Sequence, residues 1–192
     1  RIYPHTSRDI WLYRPVKVSS DECLKAIIFN DGGAYLARQG AVRATLVLDW
    51  LHSAGLLQNT IAVFVNPGNP AEPHIPPAPI ESYGPREAQR SWEYDRLTAD
   101  YGRFLVEDIL PLAETSLDCR ISPEAADRII CGISSGGIAA FNAAWHFPKA
   151  FGNVISHCGS FTNIWGGHHF PYLVRSSPRK PIRVFLQSGE ND

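Results

Sequence analysis

The stretch Arg128-Ile129-Ile130-Cys131-Gly132-Ile133-Ser134-Ser135-Gly136-Gly137-Ile138-Ala139-Ala140 decides the fold. It begins with apolar residues typical of a buried strand and ends with small residues that suit a closely packed helix. Between them lies a Gly-x-Ser-x-Gly pattern centred on Ser134. Glycines at both ends of this pattern allow the backbone to approach its neighbours closely. The sequence therefore predicts a strand, a sharp turn at Ser134 and a helix.

A serine on such a turn is typical of the nucleophile elbow of α/β hydrolases. The turn would project the Ser134 hydroxyl above the sheet, where the free N–H groups and the positive dipole end of the next helix stabilise developing negative charge. We therefore predict that Ser134 is a nucleophile for acyl transfer. The alternative is a tight turn that buries a serine without catalytic chemistry.

Composition limits the classes of protein that this chain can represent. A length of 192 residues fits one domain (1–192), and 44% hydrophobic residues can form a substantial core. The 18 basic and 19 acidic residues nearly balance, so charge gives no indication of nucleic acid binding. No apolar run approaches the roughly 18 residues that span a bilayer, so we expect no membrane partner.

Cysteines and the N-terminus carry little information about the compartment. The four cysteines (Cys23, Cys119, Cys131 and Cys158) lack metal-type spacing, and we expect reduced thiols, with one disulfide as the alternative. Cys131 is predicted to be a small buried residue. The N-terminus shows no signal-peptide pattern, and the cytoplasm is slightly favoured.

Strand-like and helix-like segments alternate, which predicts an α/β fold with a mostly parallel sheet and helices on both faces. Predicted strands cover residues 9–13, 24–29, 60–65, 154–157 and 182–187, in addition to the strand before Gly132. Predicted helices cover 41–54, 94–114 with a kink or break at Pro111, and 135–145.

Residues 66–94 interrupt this alternation. Seven prolines between Pro67 and Pro85 argue against a helix or a central strand. The segment follows a sheet strand at the edge where α/β sheets build their sites. We predict a long Pro-rich loop that forms a rim or lid over the active-site edge; a solvent-exposed insertion is the alternative.

Acyl transfer also needs two backbone donors for the oxyanion. One is expected from Ser135, which follows the nucleophile. The other should come from the loop after an early strand, here Asn30-Asp31-Gly32-Gly33. We predict Gly33 as this donor, with Gly32 as the second choice. A plain tight turn at Asp31-Gly32 is the alternative.

The acid of a catalytic triad should follow a later strand, since the order in this fold is Ser, then Asp or Glu, then His. Asp192 is the predicted acid and Glu190 the second choice, both after the strand 182–187. An ordinary polar turn is the alternative.

The general base is not identified, because no histidine follows Asp192. His157, His168 and His169 could border the site, either as a rewired base or as structural or substrate-contacting residues. His168-His169 lacks further ligands at metal-type spacing, so we predict no metal site, and His146 is predicted to serve packing.

Four segments carry a resemblance to a known family. Cys131–Gly137, Ser156–Asn163 and Arg183–Gln187 resemble the esterase family that includes the enterochelin esterases, and are similar to the sugar-ester and feruloyl esterases of the esterase D group. Arg90–Asp95 also looks like the segment that these proteins carry before a long helix. The resemblance extends from about residue 8 to 192.

This resemblance implies an α/β-hydrolase fold, no cofactor, and hydrolysis of carboxylic esters with Ser134 as nucleophile and Asp192 as acid. Two departures are evident. Ser188 stands where many relatives have an aspartate, and the C-terminal strand, helix and Gly-His loop of the family are absent. Absence of these elements is expected to expose an apolar sheet edge.

The sequence thus predicts a serine esterase whose partner is a small-molecule ester. Aromatic residues of the predicted rim (Tyr83, Trp92, Trp165 and Tyr172) indicate a bulky sugar, aryl or siderophore-type ester. A catalytically impaired binding protein on the same scaffold and an acyltransferase are the alternatives.

Overall fold

A six-stranded sheet in the order β2-β4-β3-β6-β7-β8 organises the fold in a computed structural model that describes residues 2–16 and 23–190. Its strands are β2 (Ile10–Tyr13), β3 (Lys25–Asn30), β4 (Thr60–Val65), β6 (Arg128–Ile133), β7 (Asn153–His157) and β8 (Arg183–Gln187). β2 is antiparallel to β4, and every other pair is parallel. Two short strands, β1 (Thr6–Ser7) and β5 (Asn69–Pro70), pair separately. The mostly parallel sheet confirms the predicted α/β architecture.

Helices cover both faces of the sheet, as predicted. They are α1 (Gly32–Leu36), α2 (Ala44–Ser53), α3 (Pro85–Tyr94), α4 (Asp100–Phe104), a π-helical segment (Leu105–Ile109), α5 (Leu110–Leu117), α6 (Ser135–His146) and α7 (Phe170–Ser176). Residues of α3 to α7 join a core with Ile28, Val63 and Val154. The opposite face packs Phe29 and Phe64 against α1 and α2.

The central strands are buried on both faces because their side chains alternate between these two cores. In β3, Ile28 faces the α6 side while Ile27 and Phe29 face α1 and α2. Cys131 in β6 is buried in the second core, as predicted, and the four cysteines are free thiols. Continuous apolar runs such as Ile61–Val65 are what a parallel strand with two covered faces requires.

The predicted Pro-rich loop is wrong over its last ten residues, which form α3. Pro85 is the first residue of that helix, after the extended Gly84. At this position the missing N–H of proline costs no helical hydrogen bond, and its fixed φ favours the first turn. The prolines therefore exclude a helix only before residue 85.

The predicted helix 94–114 is also divided differently. Tyr94 ends α3, and the next helical run extends from Asp100 to Leu117 through the π-helical segment. In this segment the Leu110 N–H bonds to the Leu105 carbonyl, five residues back. This wider turn lies directly before Pro111, which has no N–H and would clash with the carbonyl of an ordinary helical turn. The helix therefore continues past the proline instead of ending there.

The strand β8 forms the exposed edge of the sheet that the sequence predicts. Val184, Phe185 and Leu186 are 37%, 57% and 62% exposed. An apolar groove of about 800 Å³ runs beside them, between α6 and α7. Of the helices in the described ranges, none has the length and apolar content needed to cross a bilayer.

A buried ion pair ties the N-terminal segment to α3. Arg8 contacts Glu93 through both terminal nitrogens, at 2.7 and 3.0 Å, and the two side chains are 8% and 0% exposed. Glu93 also accepts hydrogen bonds from the Gly68 N–H and the Gln89 amide. Burial opposes the charge on Arg8, but Glu93 outweighs it and holds the pKa of Arg8 above its ordinary value. This network fixes the start of the loop after β4.

We expect Arg8→Ala to lower the free energy of unfolding by about 3–5 kcal/mol, because it leaves the Glu93 carboxylate buried without its counter-charge. Arg103→Ala is the matched control; Arg103 contacts Asp100 at 3.9 Å on the surface, and its loss should cost less than about 1 kcal/mol. Urea unfolding of both variants measures the difference. Equal losses would contradict the importance of the buried pair.

Candidate active site

Ser134 lies in a strained turn between β6 and α6. Its backbone has φ 57° and ψ −124°, a conformation that residues with a Cβ rarely adopt. Its N–H donates to the His157 carbonyl at 3.0 Å, and its carbonyl accepts from the Ser160 N–H at 3.1 Å. The predicted strand, turn and helix are therefore present. The side chain is exposed rather than buried, which is contrary to the purely structural alternative.

Glycines of the elbow are required by packing. A Cβ on Gly132 would overlap the Gly136 carbonyl, and a Cβ on Gly136 would lie 2.9 Å from Asp31 Oδ2. On Gly137 it would lie 2.7 Å from Ser156 Oγ. Only glycine at these positions lets the elbow, the loop after β3 and β7 come this close together.

The two predicted oxyanion donors lie in the first turns of helices. Ser135 is the first residue of α6, where an N–H has no acceptor inside the helix. Gly33 lies in the first turn of α1, and its N–H donates to Asn66 Oδ1 at 2.9 Å. Gly32 is packed against β4 so closely that a Cβ would overlap the Phe64 backbone. Gly33 therefore stays the better candidate for the oxyanion donor, and in this structure its N–H group is hydrogen-bonded to Asn66.

A buried network holds the loop after β3 against the elbow. Asn30 is fully buried; its amide nitrogen donates to the Gly136 carbonyl at 2.8 Å, and its oxygen accepts from the Tyr101 hydroxyl at 2.7 Å. The next residue, Asp31, donates its N–H to the Tyr94 hydroxyl at 3.1 Å. Burial raises the pKa of both tyrosines, so both stay neutral donors and acceptors.

Asp31 also forms a bidentate ion pair with Arg90 of α3, with both contacts at 2.8 Å. Burial opposes the charge on Arg90, but Asp31 outweighs it and keeps the pKa of Arg90 raised. Sequence reasoning did not assign a role to Asn30 or Arg90. Their partners lie 59 to 106 residues away in the chain, so no local pattern identifies them.

The predicted triad acid Asp192 lies outside the described residues. Glu190, the second choice, is exposed in the turn after β8. The acid therefore stays a prediction from the sequence.

The structure does not bring a described histidine into hydrogen-bond contact with Ser134 Oγ, whose partner is Ser160 Oγ at 3.1 Å. His157 ends β7 and pairs through Nδ1 with Gln187 at 3.0 Å. The rings of His168 and His169 contact each other in a tilted arrangement, with centroids 4.1 Å apart. Within the described ranges, no group of three metal-ligating side chains is present.

Part of the predicted aromatic rim comes together. Trp92 and Trp165 meet edge to face with centroids 5.9 Å apart, and the Arg96 guanidinium lies 3.8 Å above the Trp92 ring. Tyr172 projects from α7 and is 67% exposed. A cavity of about 420 Å³ borders Gly33, and its polar lining comes from Asp31, Asn66, Asn69, Arg86, Glu87 and Arg90.

A family model described as "Putative esterase" matches residues 3–192. The chain belongs to this esterase family. No curated protein sequence matches it.

Solved structures of esterases share the α/β-hydrolase fold with this chain. The enterochelin esterase of Shigella flexneri is 20% identical with a TM-score of 0.68, over 95% of this chain and 41% of its own. The siderophore hydrolase EstA of Aspergillus nidulans is 18% identical with a TM-score of 0.63, over 95% and 64%. A ferulic acid esterase is 14% identical with a TM-score of 0.59, over 95% and 84%. The chain thus spans about two fifths of the Shigella protein, and the likeness confirms the predicted fold.

Because the Ser134 backbone is strained, we expect a glycine variant at this position to be more stable than an alanine variant. Ser134→Gly should unfold with a free energy about 1 kcal/mol higher than Ser134→Ala, because glycine removes a strain of about 1–3 kcal/mol and adds less than that in unfolded-state entropy. The same two substitutions at Ser160, where φ is not positive, should favour alanine. Urea unfolding of the four variants measures both orders, and a more stable Ser134→Ala would exclude strain at the elbow.

Proposed function

We propose that this chain carries the nucleophile of a serine esterase that cleaves carboxylic esters through an acyl-serine intermediate. Ser134 Oγ attacks the ester carbonyl and loses its proton to a base; the tetrahedral intermediate expels the alcohol, and water then releases the acid. The observation that carries the proposal is the strained, exposed Ser134 at the N-terminus of α6. Membership of the esterase family supports the ester as substrate.

The oxyanion hole in this proposal consists of the Ser135 and Gly33 N–H groups. The Gly33 N–H is already oriented by Asn66 Oδ1, which occupies the place of an acceptor oxygen. A substrate oxygen that displaces the Asn66 side chain would meet a donor whose direction is already set, and fixed donors stabilise the transition state without reorganisation.

None of the described histidines hydrogen-bonds to Ser134 Oγ, so the histidine that accepts its proton is not assigned here. In the triad logic it would be oriented by Asp192. The hydrogen bond from Ser134 Oγ to Ser160 Oγ holds the nucleophile until such a base accepts its proton.

Two features of the described structure support a bulky ester. The Trp92–Trp165 pair offers half-buried aromatic surface, and the cavity beside Gly33 is lined by amide, guanidinium and carboxylate groups. These features suit an aryl, sugar or siderophore-type group. Structures of the fold-level relatives include an enterobactin esterase in the presence of enterobactin, and a ferulic acid esterase.

A second candidate is a binding protein on the same scaffold, favoured by the lack of a histidine contact to Ser134 Oγ in the described ranges. An acyltransferase would use the same acyl-serine with an alcohol in place of water. The esterase and the acyltransferase would share every feature described above and would differ only in the molecule that accepts the acyl group.

Labelling with a fluorophosphonate probe, followed by measurement of the intact mass, distinguishes a serine enzyme from a binding protein. We expect one adduct per chain, mapped to Ser134, absent in Ser134→Ala and present in the remote control Ser53→Ala. Hydrolysis of p-nitrophenyl acetate and methyl ferulate should be lost with the adduct, and added alcohols should not yield new esters. A folded chain that forms no adduct would refute the esterase proposal and favour the binding protein.

The oxyanion role of Gly33 is tested by two substitutions that differ in one N–H. Gly33→Ala keeps the donor, and its Cβ would meet its nearest neighbours at 3.4 Å, an ordinary contact. Gly33→Pro removes the donor at a position in the first turn of α1, where proline is tolerated. We expect the proline variant to react with the probe about 10²–10³ times more slowly. Equal rates in the two folded variants would exclude Gly33 as the donor.

A further inference from the structure

Asp95 is a buried carboxyl group that the proposed mechanism does not use. It lies between α3 and α4 and is 2% exposed. Its Oδ2 accepts a hydrogen bond from Ser91 Oγ at 2.7 Å, while Oδ1 has no partner among the residues that the structure describes. A buried, incompletely bonded carboxyl is costly, so packing alone does not account for an aspartate here.

The Ser91 hydroxyl links Asp95 to the aromatic rim. The Trp165 indole N–H donates to Ser91 Oγ at 3.2 Å. An indole nitrogen can only donate, and the hydroxyl has a single proton, which it gives to Asp95. The chain of hydrogen bonds therefore has one direction, from Trp165 through Ser91 to Asp95.

Asp95 directly follows α3, and α3 packs against α6. Burial raises the pKa of Asp95 above its ordinary value, and the hydroxyls of Ser91 and Ser135 oppose this shift by favouring the charged form. Ser135 does not complete a hydrogen bond to Oδ1, but it is itself buried and follows the nucleophile. The charged side chains that act on Asp95 are Arg90, which lowers its pKa, and Asp31, which raises it.

We propose that Asp95 is a positioning residue for the Ser134 site, because through Ser91 it fixes the indole of Trp165 at the end of α3. The hydrogen-bond chain itself stands without the proposed function; its effect on ester cleavage rests on that function. Loss of the Asp95 proton strengthens the acceptor for Ser91 and so fixes the rim, and the resulting charge is favoured by the Ser135 hydroxyl at the start of α6.

Indole N–H resonances report this linkage without any need for activity. In ¹⁵N-tryptophan-labelled protein, the Trp165 signal is assigned by its loss in Trp165→Phe. We expect it to shift with pH in one step, with a midpoint above the ordinary aspartate range. The step should vanish in Asp95→Asn and in Ser91→Ala and persist in the control Asp49→Asn, whose side chain pairs with Tyr13 instead.

Kinetics with an aryl ester then show whether the linkage serves the reaction. Ser91→Ala and Trp165→Phe should each raise KM at least threefold, because both free the rim. Asp95→Asn should keep KM, since its amide oxygen still accepts from Ser91, and should alter the pH dependence of kcat. A raised KM in Asp95→Asn would overturn the role of the acceptor oxygen.

The outcomes separate the two proposals. A titration step at Trp165 in a protein that forms no Ser134 adduct would refute the esterase and leave the linkage standing. A step that persists in Asp95→Asn, or a Trp165 signal unaffected by Ser91→Ala, would refute the linkage whatever the activity. If Asp95→Asn does not fold, as circular dichroism would show, Ser91→Ala and Trp165→Phe still decide the question.

Discussion

The hydrogen bond from the Asn30 amide to the Gly136 carbonyl joins the two loops on which the site depends. Asn30 ends β3 and Gly136 lies in the first turn of α6, so this contact sets the distance between the proposed oxyanion loop and the nucleophile. The same amide accepts from Tyr101. Only a side chain that donates and accepts satisfies both partners; aspartate lacks the donor and leucine lacks both groups.

The positive end of α6 attracts more than the proposed oxyanion. Asp31 approaches Gly136, and Asp95 is influenced by Ser135, so two carboxyl groups lie near this helix terminus. Arg90 neutralises Asp31 through a bidentate ion pair. Asp95 has no ion pair of its own in the described structure, and burial favours its neutral form. The ion pair with Arg90 thus limits the effect of the Asp31 charge on negative charge that develops at Ser134.

Local patterns predicted the features that depend on local chemistry. The apolar runs of β3 and β4 and the Gly-x-Ser-x-Gly pattern placed the parallel strands and the Ser134 turn. The start of α3 was missed because prolines were counted without regard to position, and Pro85 occupies the one helical position that suits it. The π-helical segment was missed because a proline in a helix has more than one structural solution.

Partners distant in sequence could not be predicted in the same way. Trp165 bonds to Ser91 across 74 residues, and Gly33 donates to Asn66 across 33. The sequence pointed to Trp92, Trp165 and Gly33 by their placement after strands or in the rim; the two tryptophans do meet, and the donor role of Gly33 stays a prediction. It could not show that Asn66 occupies the Gly33 donor, because that contact exists only once β3 and β4 pair in register.

The strained backbone conformation of Ser134 persists only because hydrogen bonds hold the turn from several sides. A positive φ in a serine costs about 1–3 kcal/mol, comparable to the net gain of one or two hydrogen bonds. The Ser134 N–H is fixed by the His157 carbonyl and its own carbonyl by the Ser160 N–H, so both backbone groups are tied to β7 and the segment after it. Release of either contact would let the turn relax and withdraw the hydroxyl. The histidine at the end of β7 therefore supports Ser134 through its backbone, whichever group accepts the proton.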